Sequence, residues 1–162
     1  MYQILLGIFS AGVLACLAMD LWQQLLKRMA GIPATNWAMV GRWFGLTLRS
    51  GTMFQPQIDD ETPLPHELRT GWLVHYGVSL LYAVLYQLLI QAHVIQPTWS
   101  DGLIFGAVSV VVPWFYFMPC MGKGMMGRRT PNPTKACGVS LSNHLVYGMA
   151  MGMVFGWWLG QP

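Results

Sequence analysis

The chain has 162 residues, 54% of them hydrophobic and only 9% charged, with a net charge of +3. An average soluble domain carries about 25% charged residues, so this composition excludes a water-facing globular surface. The length suits one compact unit. Three cysteines without regular spacing, Cys16, Cys120 and Cys137, exclude a disulfide framework.

A bilayer core of about 30 Å takes roughly 20 apolar residues of helix. The first such stretch runs from Gln3 to Leu26, broken only by Asp20, Gln23 and Gln24. It lacks the basic start of a signal peptide and stays apolar too long for one, so it is expected to remain in the protein. The linker that follows contains Pro33, then Thr35 and Asn36 as helix-start residues. Trp37, Val40, Gly41, Phe44 and Leu48 then recur at helical spacing, with Arg42 and Arg49 off the stripe. This predicts a helix over 36–49, lying in the membrane interface. From Ser50 to Pro65 the chain turns polar and proline-rich, with an acidic run Asp59-Asp60-Glu61, and is read as irregular.

The second apolar stretch covers 71–95, the third 101–121 and the fourth 136–159. Asn132-Pro133 suits an N-cap and first helical position just before the last. Pro113 removes a backbone bond to Ser109 and predicts a kink in the third helix. The fold class is therefore all-α: a four-transmembrane-helix bundle forming a single transmembrane domain, with one interfacial helix in its first loop. Gly148, Gly152, Gly156 and Gly160 repeat at the small-xxx-small spacing that lets helices approach closely in lipid. The first three are expected to serve a homodimer.

All nine basic residues fall in two places, loop 27–70 and loop 122–135. The positive-inside rule places both loops in the cytoplasm and both termini outside. Cys120 and Cys137 then lie near the reducing side and are expected as thiols. Because the basic residues lie against the membrane, nucleic acid is not an expected partner. The loop Gly122 to Arg129, with Lys123, Arg128 and Arg129 among glycines, is a candidate contact for anionic head groups.

Three ionisable residues fall at one depth in the cytoplasmic third of the membrane. Asp20 lies seven residues before Lys27, His75 six after Arg69, and His144 nine after Lys135. Each continues along a small or polar face, with Tyr76, Ser79, Asn143 and Tyr147 as supporting groups. A charged side chain at this depth costs a few kcal/mol on insertion scales and is normally turned inward with a partner. A carboxylate facing two imidazoles can relay protons, bind a divalent cation or act as an acid–base pair. Two histidines can also ligate haem. A second candidate is sulfur-rich: Met118, Cys120 and Met121 are donors suited to a soft metal such as Cu(I). Three functional classes stay open: proton- or cation-linked movement of a small solute, a membrane-embedded metal- or haem-binding enzyme or redox protein, and a structural or partner-binding subunit.

Several motifs recur in order: Met19-Asp20-Leu21-Trp22; Asn36-Trp37 with Val40-Gly41-Arg42; Gly71-Trp72 with His75-Tyr76; Arg129-Thr130-Pro131-Asn132-Pro133; and His144. Together they make the chain similar to a family of small bacterial inner-membrane proteins catalogued only as a domain of unknown function. The resemblance runs from Met19 to Trp157. It implies a bacterial cytoplasmic membrane and a four-helix architecture, and it implies no activity.

Overall fold

The computed structural model describes residues 2–160. It is all-helical, with no strand among the described residues. The elements are α1 (Tyr2–Ala30), α2 (Trp37–Ser50), α3 (Glu67–Gln91), α4 (Trp99–Cys120) and α5 (Pro133–Leu159).

Local chemistry sets most of these ends. Asn36 caps α2 by accepting from the Met39 N–H at 3.2 Å, which satisfies one of the donors a helix start leaves open. Gly51, left-handed at φ 69°, closes the same helix through its N–H to the Thr47 carbonyl. Helix α3 begins at Glu67, four residues earlier than its apolar run suggests. The Glu67 carboxylate accepts from the Leu64 N–H at 3.0 Å, and an acidic first turn suits the helix dipole. Thr98 caps α4 by accepting from the Asp101 N–H. Asn132 caps α5 through the Lys135 N–H at 2.9 Å, with Pro133 at the first position. At Pro113 the break takes the form of a π-turn over Pro113–Phe117, after which Met118–Cys120 completes α4.

Three helices are long and apolar enough to cross a membrane: α1 with 29 residues, α3 with 25 and α4 with 22. Helix α5, with 27 residues, has the length, but no stretch of it matches the hydropathy of the other three. Serine, asparagine and histidine at 140, 142, 143 and 144 dilute its first half, and glycines and tryptophans its second. Leu5, Phe9, Leu21, Leu73, Leu81, Ile104 and Val108 are all exposed. Such faces are compatible with contact to lipid acyl chains.

The chain divides into two compact units: Met1–Ala34 with Tyr76–Ser109 and Leu141–Pro162, and Thr35–His75 with Val110–Ser140. In the first unit the core joins Ala11, Ala15, Ala83, Tyr86, Phe105, Tyr147, Met151 and Phe155. Tyr86 stacks on Phe155 at 5.4 Å and meets Phe105 edge-on at 5.0 Å. Helices α4 and α5 touch backbone to backbone: a Cβ on Gly102 would strike the Gly148 carbonyl, and one on Gly148 the Gly102 carbonyl. Gly152 and Gly156 face the Thr98 and Pro97 carbonyls in the same way. The glycine face assigned to a homodimer is thus filled by a neighbouring segment of the same chain. The reason is steric, since backbone already occupies the space a second copy needs.

In the second unit α2 crosses the start of α3 with equal closeness. A Cβ on Gly41 would meet the Glu67 carbonyl, and one on Gly71 the Trp37 carbonyl. Val40, Trp43, Ile58, Cys120 and Met121 form its core. The segment after α2 is held in place as well as irregular. Arg42 forms a two-pronged pair with Glu67, at 2.9 and 3.0 Å, and donates to the Glu61 carbonyl at 2.9 Å. Trp43 Nε1 donates to the Met53 carbonyl at 2.7 Å. The sequence pattern of α2, an apolar stripe with two arginines off it, is thus used for packing on α3, and Arg42 for tying down the loop.

Candidate functional site

The polar residues of the first unit form a seam along α1, α3 and α5. Nearest the C-terminal end of α1, Trp22 Nε1 donates to Ser142 Oγ at 3.1 Å. Next, Tyr76 Oη donates to Asp20 Oδ2 at 3.2 Å, joining α3 to α1. One turn back along α1 is the buried Cys16, and one further turn back Gly12. There Ser79 Oγ donates to the Gly12 carbonyl at 2.7 Å and lies 3.1 Å from the Tyr147 hydroxyl. Tyr147 in turn donates to the Ser79 carbonyl at 3.0 Å. The small residues of α1 at positions 12, 15 and 16 make room for these side chains, so the sequence pattern and the polar seam have one cause.

Asn143 lies on the same face of α5 as Tyr147, one turn away, and is only 8% exposed. Its Oδ1 is buried with no hydrogen-bond partner. An unmatched amide oxygen costs about 1–3 kcal/mol where it stands, so this atom is the seam's one open acceptor of that depth among the described residues of α5.

Of the three ionisable residues, Asp20 and His144 belong to the first unit and His75 to the second. Asp20 is half-buried and bonded to Tyr76. His144, on α5, sits with Nδ1 2.8 Å from Ser109 Oγ of α4, where Gly106 and its own backbone carbonyl lie in contact. His75 belongs to the second unit. There it stacks on Trp37 at 3.7 Å and leans on Trp72 at 5.7 Å. The asparagine cap and the Gly41–Gly71 crossing place Trp37 over this ring.

The family described as Protein of unknown function (DUF2938) matches residues 9–158. The chain belongs to the DUF2938 family. No curated protein and no solved structure matches it. The family match spans every polar residue of the seam, and the family description assigns no activity.

Of the sulfur donors, Cys120 and Met121 are buried in the apolar core of the second unit, among Val40, Trp43 and Ile58. Met118 Sδ lies against Gly127. Cys120 and Cys137 are thiols, and Cys137 Sγ donates to the Met126 carbonyl at 3.1 Å. Of the basic loop, Arg128 and Arg129 are exposed and Lys123 is half-buried. Arg42 behaves differently from the other basic residues. Its bond to Glu67 raises its pKa above an already high ordinary value, so it stays charged within the loop it ties down.

Three residues of consequence escape sequence reasoning. Ser109 is hidden as the residue whose carbonyl Pro113 releases, yet its hydroxyl holds His144. Glu67 reads as loop acid, and only the structure pairs it with Arg42. Gln87, on α3, is 6% exposed. Its signal was available: it is the one amide inside the apolar run from Leu80 to Ile90.

Proposed function

We propose that the protein is a four-span bacterial inner-membrane protein that moves protons or a small cation, linked to movement of a small solute. In this reading α5 is the fourth span, α2 lies at the interface, and loops 27–70 and 122–135 face the cytoplasm. Asp20 is the group that takes and releases the charge. His75 and His144 join the relay from their sequence depth, as imidazoles able to donate and accept a proton.

One observation carries the reading: a carboxylate in the cytoplasmic third of a span is hydrogen-bonded to Tyr76, and hydroxyls continue from it along the same seam at Ser79 and Tyr147. Hydroxyls both donate and accept, so they pass a proton without carrying a charge themselves. An ionisable residue costs roughly 2.5–3.5 kcal/mol at the centre of a span on insertion scales. A group kept at that expense marks an ion or proton path by default.

The test is proton flux into proteoliposomes under an imposed potential, comparing the native protein with Asp20→Asn. The neutral variant keeps the shape of the side chain and the bond from Tyr76. We expect flux to fall to the background of empty vesicles while insertion and thermal stability persist. Equal flux in both proteins would remove the proposal, and a loss of stability without loss of flux would make Asp20 an architectural residue.

A further inference from the structure

At the far end of the same unit, away from Asp20, a cavity of about 40 Å³ opens between α1, α3 and α5. Its lining is mostly apolar, from Ile4, Gly7, Phe155, Trp158 and Leu159, with Gln3 and Gln87 as its two amides. One water needs ~10–15 Å³ on this measure, so about three fit. Volume alone would not fill the cavity, because an apolar void stays dry. Here Gln87 is 94% shielded, and its amide has no hydrogen-bond partner among the described residues. Gln3 supplies a second amide at the rim, and each amide offers two donors and a carbonyl. A buried amide left unmatched is tolerated where a ligand or water completes it.

Between this cavity and the Ser79–Tyr147 pair the seam gives way to packed core. Ala11 and Ala83 are fully buried there, beside Tyr86 and Phe155. Gln87 stands eight residues beyond Ser79 on α3, about 12 Å at ~1.5 Å per residue. The amide is therefore too far to serve the hydroxyl pair directly, and it serves the cavity.

We propose that this cavity is a hydrated port: its ligand is a small cluster of waters held by Gln87, which delivers protons to the end of the seam opposite Asp20. The proposal rests on the proton-path reading for its purpose, and on the cavity and Gln87 for its existence. The alanine layer then separates port from relay in this conformation, as a closed gate does.

Radiolytic hydroxyl-radical footprinting of the protein in nanodiscs reads bound water inside a membrane protein directly. Phe155 and Phe105 make a matched pair: both are core phenylalanines, but only Phe155 lines the cavity. Phe155 is the better shielded of the two, at 1% against 8% exposed. We expect Phe155 to oxidise several-fold faster than Phe105, and Gln87→Leu to abolish the excess. Gly7→Ala is a gentler second variant, because its new methyl would sit 3.7 Å from Trp158 in ordinary contact. It should lower labelling without disturbing the fold. Phe155 labelling no faster than Phe105 overturns the port, whatever the flux.

Flux in the same preparations separates the two ideas. Lost labelling with proton flux at least tenfold lower in Gln87→Leu supports the port as a feed to the path. Lost labelling with unchanged flux overturns that role. Strong labelling beside a native flux no greater than that of Asp20→Asn leaves a hydrated cavity and removes the proton path.

Discussion

The two units solve the same packing problem and differ in what they do with polar groups. Each contains a crossing in which a pair of glycines brings backbones into contact, Gly102 with Gly148 in one and Gly41 with Gly71 in the other. In the first unit the buried polar groups are mostly neutral and spread along a seam, in which Tyr76, Ser79 and Tyr147 are each held by one or two hydrogen bonds. In the second, a single ion pair gathers the helix start, the end of the loop and α2 around Arg42. Neutral bonds are worth about 0.5–1.5 kcal/mol each, whereas breaking a shielded ion pair costs more. The difference teaches where to look for activity: groups whose removal barely alters stability, yet which are costly to keep in lipid, are there for something else.

Five substitutions test this contrast. The largest effect should come from Gly41→Val or Gly102→Val, which the two units should suffer alike. Backbone sits where the new side chain must go, so we expect a loss of about 3 kcal/mol, at the top of the overpacking range. Unfolding midpoints in detergent read this directly, and an unchanged midpoint in either variant would contradict the crossing. Arg42→Ala comes next. Both partners are only 14% exposed at the side chain, and we expect about 2 kcal/mol, less than for a fully buried pair. Limited proteolysis should then cut within residues 51–66, and a resistant loop would show that Arg42 is not its anchor.

Smaller effects belong to the seam. Ser79→Ala removes a hydroxyl between Gly12 and Tyr147 and should cost about 1 kcal/mol. A much larger cost, measured by the same unfolding midpoint, would make the seam a structural device like Arg42. Asn143→Leu should change stability least, raising it by up to about 1 kcal/mol, because the cost of its unmatched buried oxygen is removed while the new side chain must be repacked. A stable Asn143→Leu protein with reduced flux would assign that oxygen to the moving ion. Marked destabilisation would show that the oxygen already has a partner.

Helix existence was legible in the sequence because length and apolarity are local properties. So were the caps at Asn36 and Asn132, where side-chain chemistry and helix start lie within three residues of each other. The depth of Asp20 followed from counting along a helix, but its bond to Tyr76 did not. That contact joins residues 56 apart, and depth alone leaves the rotation of each helix open. The use of the glycine face was hidden for a related reason. Small-xxx-small spacing states that a backbone can come close without saying whose, and here it is that of α4. Helix α5 shows a further limit: its length was plain, but the groups that make it chemically interesting also reduce its apolarity.

The Gly102–Gly148 contact has a genetic consequence. Every single-base change in a glycine codon that alters the residue adds at least a Cβ, and here each such atom meets the opposite backbone. Neither position can drift by a tolerated first step followed by a compensating second, because no side chain on the partner can shrink below glycine. Substitution at either codon must await a displacement of the helix itself. Within the DUF2938 family these two columns should therefore stay fixed together, and a chain that has lost one glycine should show an altered α4–α5 crossing.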